Sequence, residues 1–96
     1  MANFVLIHGS FQGGWIWQPT VELWRQAGHS VYAPTMEGCA ERQRGLRVGI
    51  TATTTAEEVV DLFFYEDLED VILVGTSSGG VIISKAAELA QKKFGI

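Results

Sequence analysis

Cysteine is almost missing from this chain: Cys39 stands alone. That excludes an intrachain disulfide and a metal site built from cysteines only. Histidine is nearly as scarce, with His8 and His29. Seven basic residues face eleven acidic ones, a net charge of −4, so no general attraction to nucleic acid or an anionic membrane is expected. No apolar run approaches the ~18 residues of a membrane-crossing helix. The stretch Phe4-Val5-Leu6-Ile7 is too short for a signal-peptide core and lacks a basic leader, so a cytoplasmic location is the default expectation. No internal repeat or low-complexity tract occurs. What remains is 96 residues, 47% of them hydrophobic. That is the makeup of one globular domain over 1–96, in two packed layers or a small three-layered unit.

Phe4-Val5-Leu6-Ile7 is an uninterrupted apolar run, the pattern of a parallel strand covered on both faces. A glycine-rich loop follows, His8-Gly9-Ser10-Phe11-Gln12-Gly13-Gly14. Its spacing is not G-x-G-x-x-G, so a dinucleotide fingerprint fails and no cofactor is expected. Residues 15–27 read as a helix. Trp17, Val21 and Trp24 fall at i, i+4 and i+7, and Leu23 and Ala27 widen the stripe. Pro19 belongs in a first turn, so the regular helix should start near Gln18, and Gly28 suits its end. Helical spacing makes this aromatic stripe core rather than a ligand platform.

Val31-Tyr32-Ala33 reads as a short strand stopped by Pro34, and 35–53 as a loop. Arg42, Arg44 and Arg47 in that loop have Glu37 and Glu41 beside them, the pattern of a solvated face. A loop of this length in a compact domain is often functional. Thr55 and Glu58 have capping-box spacing, with a helix to about Tyr65 and Val59, Val60, Phe63 and Phe64 as candidate core. After the acidic connection 66–70 come a strand over 71–74 and a helix from about Gly79 to Phe94, ended by Gly95. The apolar stripe of that last helix is Ile82, Ile83, Ala86, Leu89 and Ala90, with Lys92 and Lys93 in its final turn.

Strand and helix thus alternate three times. Right-handed crossovers then give an α/β/α sandwich over a three-stranded parallel sheet of order 2-1-3. The first helix lies on one face and the other two on the opposite face. The loops after the first and third strands meet at the switch-point crevice, where such sheets bind ligands.

The third strand runs into Gly75-Thr76-Ser77-Ser78-Gly79, a G-x-S-x-G motif in the strand-to-helix context that makes it a nucleophile elbow. Such a turn forces its central serine to positive φ, and the strand and helix pass so close that the positions two before and two after must be small. Gly75 and Gly79 meet that demand. Ser78 cannot be the central serine, because Thr76 stands two before it. A phosphate loop would need Gly-Lys-Ser/Thr, and the chain has Gly80-Val81-Ile82.

These motifs, with Gly13-Gly14-Trp15-Ile16-Trp17 and Ala27-Gly28-His29-Ser30-Val31, resemble the α/β-hydrolase superfamily. The branch they resemble contains small esterases, plant methylesterases and hydroxynitrile lyases. The resemblance covers nearly the whole chain but only about the first half of such a fold, whose domains run to roughly 250 residues. It implies Ser77 as nucleophile, the N–H groups of Ser10 and Ser78 as the oxyanion hole, a small ester as ligand, and no metal.

In this family the acid and then the histidine follow the serine. After Ser77 the sequence has Glu88, on the last helix, and no histidine. His29 belongs at the amino edge of the sheet, opposite the elbow. The resemblance gives His8 the role of supporting its loop. The expectation is therefore a truncated or engineered N-terminal part of a serine esterase with little activity alone. The alternative is a non-catalytic folding or assembly module; a flavodoxin-like binding domain has no phosphate-loop support. The third strand is apolar at 71–74 and lacks helix cover on one face, so a homo-oligomer joined through it or the last helix is expected.

Overall fold

The computed structural model describes residues 2–10, 12–46 and 48–94. Strand β1 (Asn3–Ile7) lies between β2 (Ser30–Tyr32) and β3 (Val71–Gly75), giving the parallel order β2-β1-β3. Helix α1 (Gln18–Gln26) connects β1 to β2. Helix α2 (Ala52–Tyr65) connects β2 to β3, and α3 (Gly79–Phe94) follows β3. Gly95, expected to end α3, lies outside the described residues.

The continuous apolar run of β1 is explained by its place at the centre. Val5, Leu6 and Ile7 are fully buried, and their side chains alternate between two cores. Leu6 packs with Val21 and Val31 under α1, where Trp17 and Trp24 join it. Val5 and Ile7 pack with Ala56, Val59, Val60, Phe63, Ala86 and Ala90 from α2 and α3. This is the three-layered sandwich, with one helix on one face and two on the other. Full burial of one such aliphatic side chain contributes roughly 1.5–3 kcal/mol.

A three-stranded sheet is narrow, and the helices overhang it. Leu23 and Phe64, expected in the core from periodicity, are 65% and 61% exposed, and Ala27 is exposed too. On β3, Ile72 faces the α1 side of the sheet but lies beyond that helix and is 46% exposed. On the α2/α3 side, Phe63, Leu68, Val71, Leu73 and Ala90 line a groove of about 690 Å³ at the amino end of β3.

Several local expectations change. The regular part of α1 does begin at Gln18, but Gly14–Trp17 before it form a 3-10 turn. β2 covers 30–32, one residue earlier than expected, and β3 extends to Gly75. The loop after β2 contains a kinked 3-10 segment, Ala40–Gly45.

The cap of α2 is not Thr55 with Glu58. It is Thr51, whose Oγ1 accepts from Thr54 N while Thr54 Oγ1 accepts from Thr51 N. Thr55 lies inside the first turn and its hydroxyl donates back to Thr51 O. Four threonines among 51–55 offered competing caps, and Glu58 is engaged elsewhere, by Arg42. Thr51→Ala should therefore lower stability by about 1 kcal/mol, read from the urea midpoint. Glu58→Ala should leave the cap intact and instead speed hydrogen exchange in the segment around Arg42. Equal loss of helix stability in both variants would return the cap to Thr55.

Candidate active site

β3 ends in the motif at Gly75, and α3 begins at Gly79. Between them Ser77 sits at φ 53°, in the left-handed region that ordinary residues avoid. Such a residue costs of order 1–3 kcal/mol and persists only where its surroundings impose it. Here the surroundings are backbone. Thr76 N donates to Ile7 O at 3.2 Å, which ties the turn to the end of β1. Gly79 N donates to Thr76 O at 2.8 Å and Gly80 N to Ser77 O at 3.0 Å, which closes the turn into the helix.

The two glycines are required by contact. A Cβ on Gly79 would lie 2.6 Å from Ile7 O and 2.8 Å from His8 O. A Cβ on Gly75 would lie 2.7 Å from both C and O of Gly79. The helix start is thus pressed onto the carboxyl end of β1, and Ser77 stands exposed above the junction. Its Oγ has no hydrogen-bond partner among the described residues.

The loop after β1 comes up beside it. A Cβ on Gly9 would lie 3.1 Å from Ser77 Cβ, so the loop backbone abuts the serine side chain. Gly9 N donates to Gln12 Oε1 at 2.8 Å, which removes that N–H from any other use. The N–H groups of Ser10 and Ser78 donate to no described residue. Ser10 Oγ and Ser78 Oγ are 2.9 Å apart and hydrogen-bonded, so the two residues named for the oxyanion hole meet across the crevice. Gln12 was not singled out in the sequence. A polar side chain three residues after the loop's first glycine was the available signal.

His8 is buried, and both ring nitrogens are occupied. Gly9 O can only accept, so Nδ1 donates to it at 2.8 Å. Met36 N donates to Nε2 at 2.9 Å. His8 is a strut between the loops after β1 and β2, without a free nitrogen for the serine proton. His29 sits at the amino end of the sheet, where Nδ1 accepts from Ala2 N and the ring meets Phe4 edge-on. Glu88 lies on the exposed side of α3 and pairs with Lys92 at 3.3 Å.

The loop after β2 is pinned to the rest of the domain. Thr35 Oγ1 accepts from Gly14 N and donates to Glu41 Oε2 at 2.6 Å. The Thr35 bond first, then the local backbone, hold the Glu41 carboxyl below its ordinary range. Arg42 is exposed, as expected of a solvated loop face, but its partner is Glu58 of α2, in a bidentate pair at 2.8 and 2.9 Å, and it also donates to Thr35 O. The Glu58 bonds are the largest cause of its raised pKa. Arg44 is exposed, and Arg47 lies outside the described residues. Among the described residues no three His, Cys, Asp or Glu side chains gather as metal ligands would, and no helix is long and apolar enough to cross a membrane.

These contacts set the outcome of one substitution. Gly79→Ala places a methyl against two carbonyls and should destabilise by about 1–3 kcal/mol, the overpacking range, measured by denaturant unfolding. Gly80→Ala, where a Cβ would meet nothing within 4 Å, is the matched control and should cost no stability. Equal effects would contradict the close approach.

Comparison with known proteins agrees with this fold. A carbendazim-hydrolysing esterase of Nocardioides sp. (strain SG-4G) is 42% identical over 94 residues, which are 98% of this chain and 39% of that protein. An α-hydroxynitrile lyase of Arabidopsis thaliana is 32% identical over 96% of this chain and 36% of its own length. Among solved structures, an extracellular α/β-hydrolase from a Paenibacillus species superposes with a TM-score of 0.82 at 34% identity, over 93% of this chain and 36% of that one. The chain therefore spans less than two fifths of the length of these relatives. Residues 4–95 match the model of the alpha/beta hydrolase family, and the chain belongs to that family.

Proposed function

We propose that this chain carries the nucleophile-bearing part of a serine-dependent carboxylic ester hydrolase. Ser77 Oγ attacks the ester carbonyl carbon. The carbonyl oxygen takes up negative charge between the N–H groups of Ser10 and Ser78. The alcohol leaves, an acyl group remains on Ser77 Oγ, and water releases it as the acid. Preorganised donors of this kind are worth about 3–4 kcal/mol of barrier each. The supporting observation is Ser77 itself, exposed and held at positive φ on the strand-to-helix turn. Similarity to a carbendazim-hydrolysing esterase supports an ester as substrate class.

The serine proton needs a base, and a serine hydroxyl without one is a weak nucleophile. Both histidines of this chain are engaged away from Ser77. The base and its acid then come from outside these residues. The 96-residue chain should hydrolyse a simple aryl ester no faster than a site stripped of its triad, which retains ~10³–10⁴-fold over water. A serine-directed phosphonate should label Ser77 slowly. Rapid stoichiometric labelling lost in Ser77→Ala would place a base within the chain.

A second reading, association through β3, is favoured by the exposure of Ile72 in the middle of a strand that pairs on one side only among the described residues. Two copies could pair their β3 edges about a two-fold axis. At micromolar concentration the solution mass should then be that of a dimer or larger, and Ile72→Lys should return it to one chain. A single-chain mass before substitution removes this reading.

A further inference from the structure

Ser10 and Ser78 contribute more than their backbone to this crevice. Their hydroxyl oxygens lie 2.9 Å apart, bonded to each other across two loops 68 residues apart in sequence. Neither hydroxyl has another partner among the described residues. Each carries one proton and two acceptor lone pairs. One proton is consumed in the mutual bond. The hydroxyl that accepts that bond keeps its own proton, with nothing to give it to. Its acidity toward a third group is raised, because hydrogen bonds in a chain polarise one another.

The position of that spare proton follows from the backbone. Ser78 follows Ser77 in the chain, and Ser10 follows Gly9, whose backbone abuts the Ser77 side chain. The loop bearing Ser10 is held against the Ser77 side chain through Gly9, and Gln12 fixes that loop by taking the Gly9 N–H. Both hydroxyls therefore stand one residue from the point where the loop meets Ser77.

We propose that the Ser10–Ser78 hydroxyl pair acts as one unit that donates a third hydrogen bond, an O–H, to the oxyanion beside the two N–H groups. This rests on the reading of Ser77 as nucleophile. It assigns the two side chains a role separate from that of the two amides. The separation is testable, because alanine at either position removes the hydroxyl and keeps the N–H.

Phenylboronic acid supplies the probe. Ser77 Oγ donates an electron pair to boron, its proton passes to the buffer, and the tetrahedral boronate carries the negative charge where the oxyanion would sit. No histidine is needed for this equilibrium. Boron NMR reads the adduct, and amide proton shifts read the contacts. The 96-residue chain should give a tetrahedral signal that Ser77→Ala abolishes, with the Ser10 and Ser78 amide protons moving downfield. Ser10→Ala and Ser78→Ala should each weaken binding about tenfold, and the double variant no further, since the pair acts as a unit. Ser10→Thr, which keeps a hydroxyl, should bind like the parent and covers the case in which Ser10→Ala fails to fold.

The failures are distinct. No Ser77-dependent adduct, or unmoved amides, overturns the nucleophile reading and this proposal with it. A normal adduct bound equally well by both alanine variants overturns the hydroxyl role alone and leaves Ser77 as nucleophile. Additive losses in the double variant overturn the claim that the two act together. If the pair only ties the loops, the alanine variants lose thermal stability and keep their boronate affinity, which also overturns it.

Discussion

Everything at the carboxyl end of this sheet depends on one backbone-to-backbone contact, Gly79 against the carbonyls of Ile7 and His8. No side chain separates the start of α3 from the end of β1. That closeness sets the direction in which α3 leaves the sheet, and it leaves the turn before it too little room for a relaxed conformation. The positive φ of Ser77 is the result. The same contact fixes how far the loop after β1 stands from the serine, because both are attached to the two strands that touch. The spacing of the crevice is therefore carried by main chain, which tolerates far less adjustment than side-chain packing.

That contact was legible in the sequence because its cause is local. Glycine at positions two before and two after a serine, between an apolar run and a helical stripe, has few other physical uses. The continuous apolar character of 4–7 was legible for a related reason. A strand with helices on both faces has no polar side to display, and Val5, Leu6 and Ile7 show none.

What the sequence hid was long-range or degenerate. Periodicity reports which face of a helix is apolar but not how wide a sheet lies beneath it. Leu23 and Phe64 were misplaced for that reason, since the sheet ends before the helices do. Capping chemistry recurs four times among 51–55, and only the path of the incoming chain selects Thr51. The pairing of Arg42 with Glu58 spans sixteen positions and bridges a loop and a helix, so nearer acidic residues drew the assignment. The Ser10–Ser78 bond joins residues that no local pattern connects.

His8 joins the loops after β1 and β2 through both of its ring nitrogens. A histidine with both nitrogens committed is structural material. The segment that fixes the geometry of Ser77 thus needs no free imidazole to do so. Main chain alone folds Ser77 and holds it at positive φ, while the His8 imidazole serves as a beam between two loops.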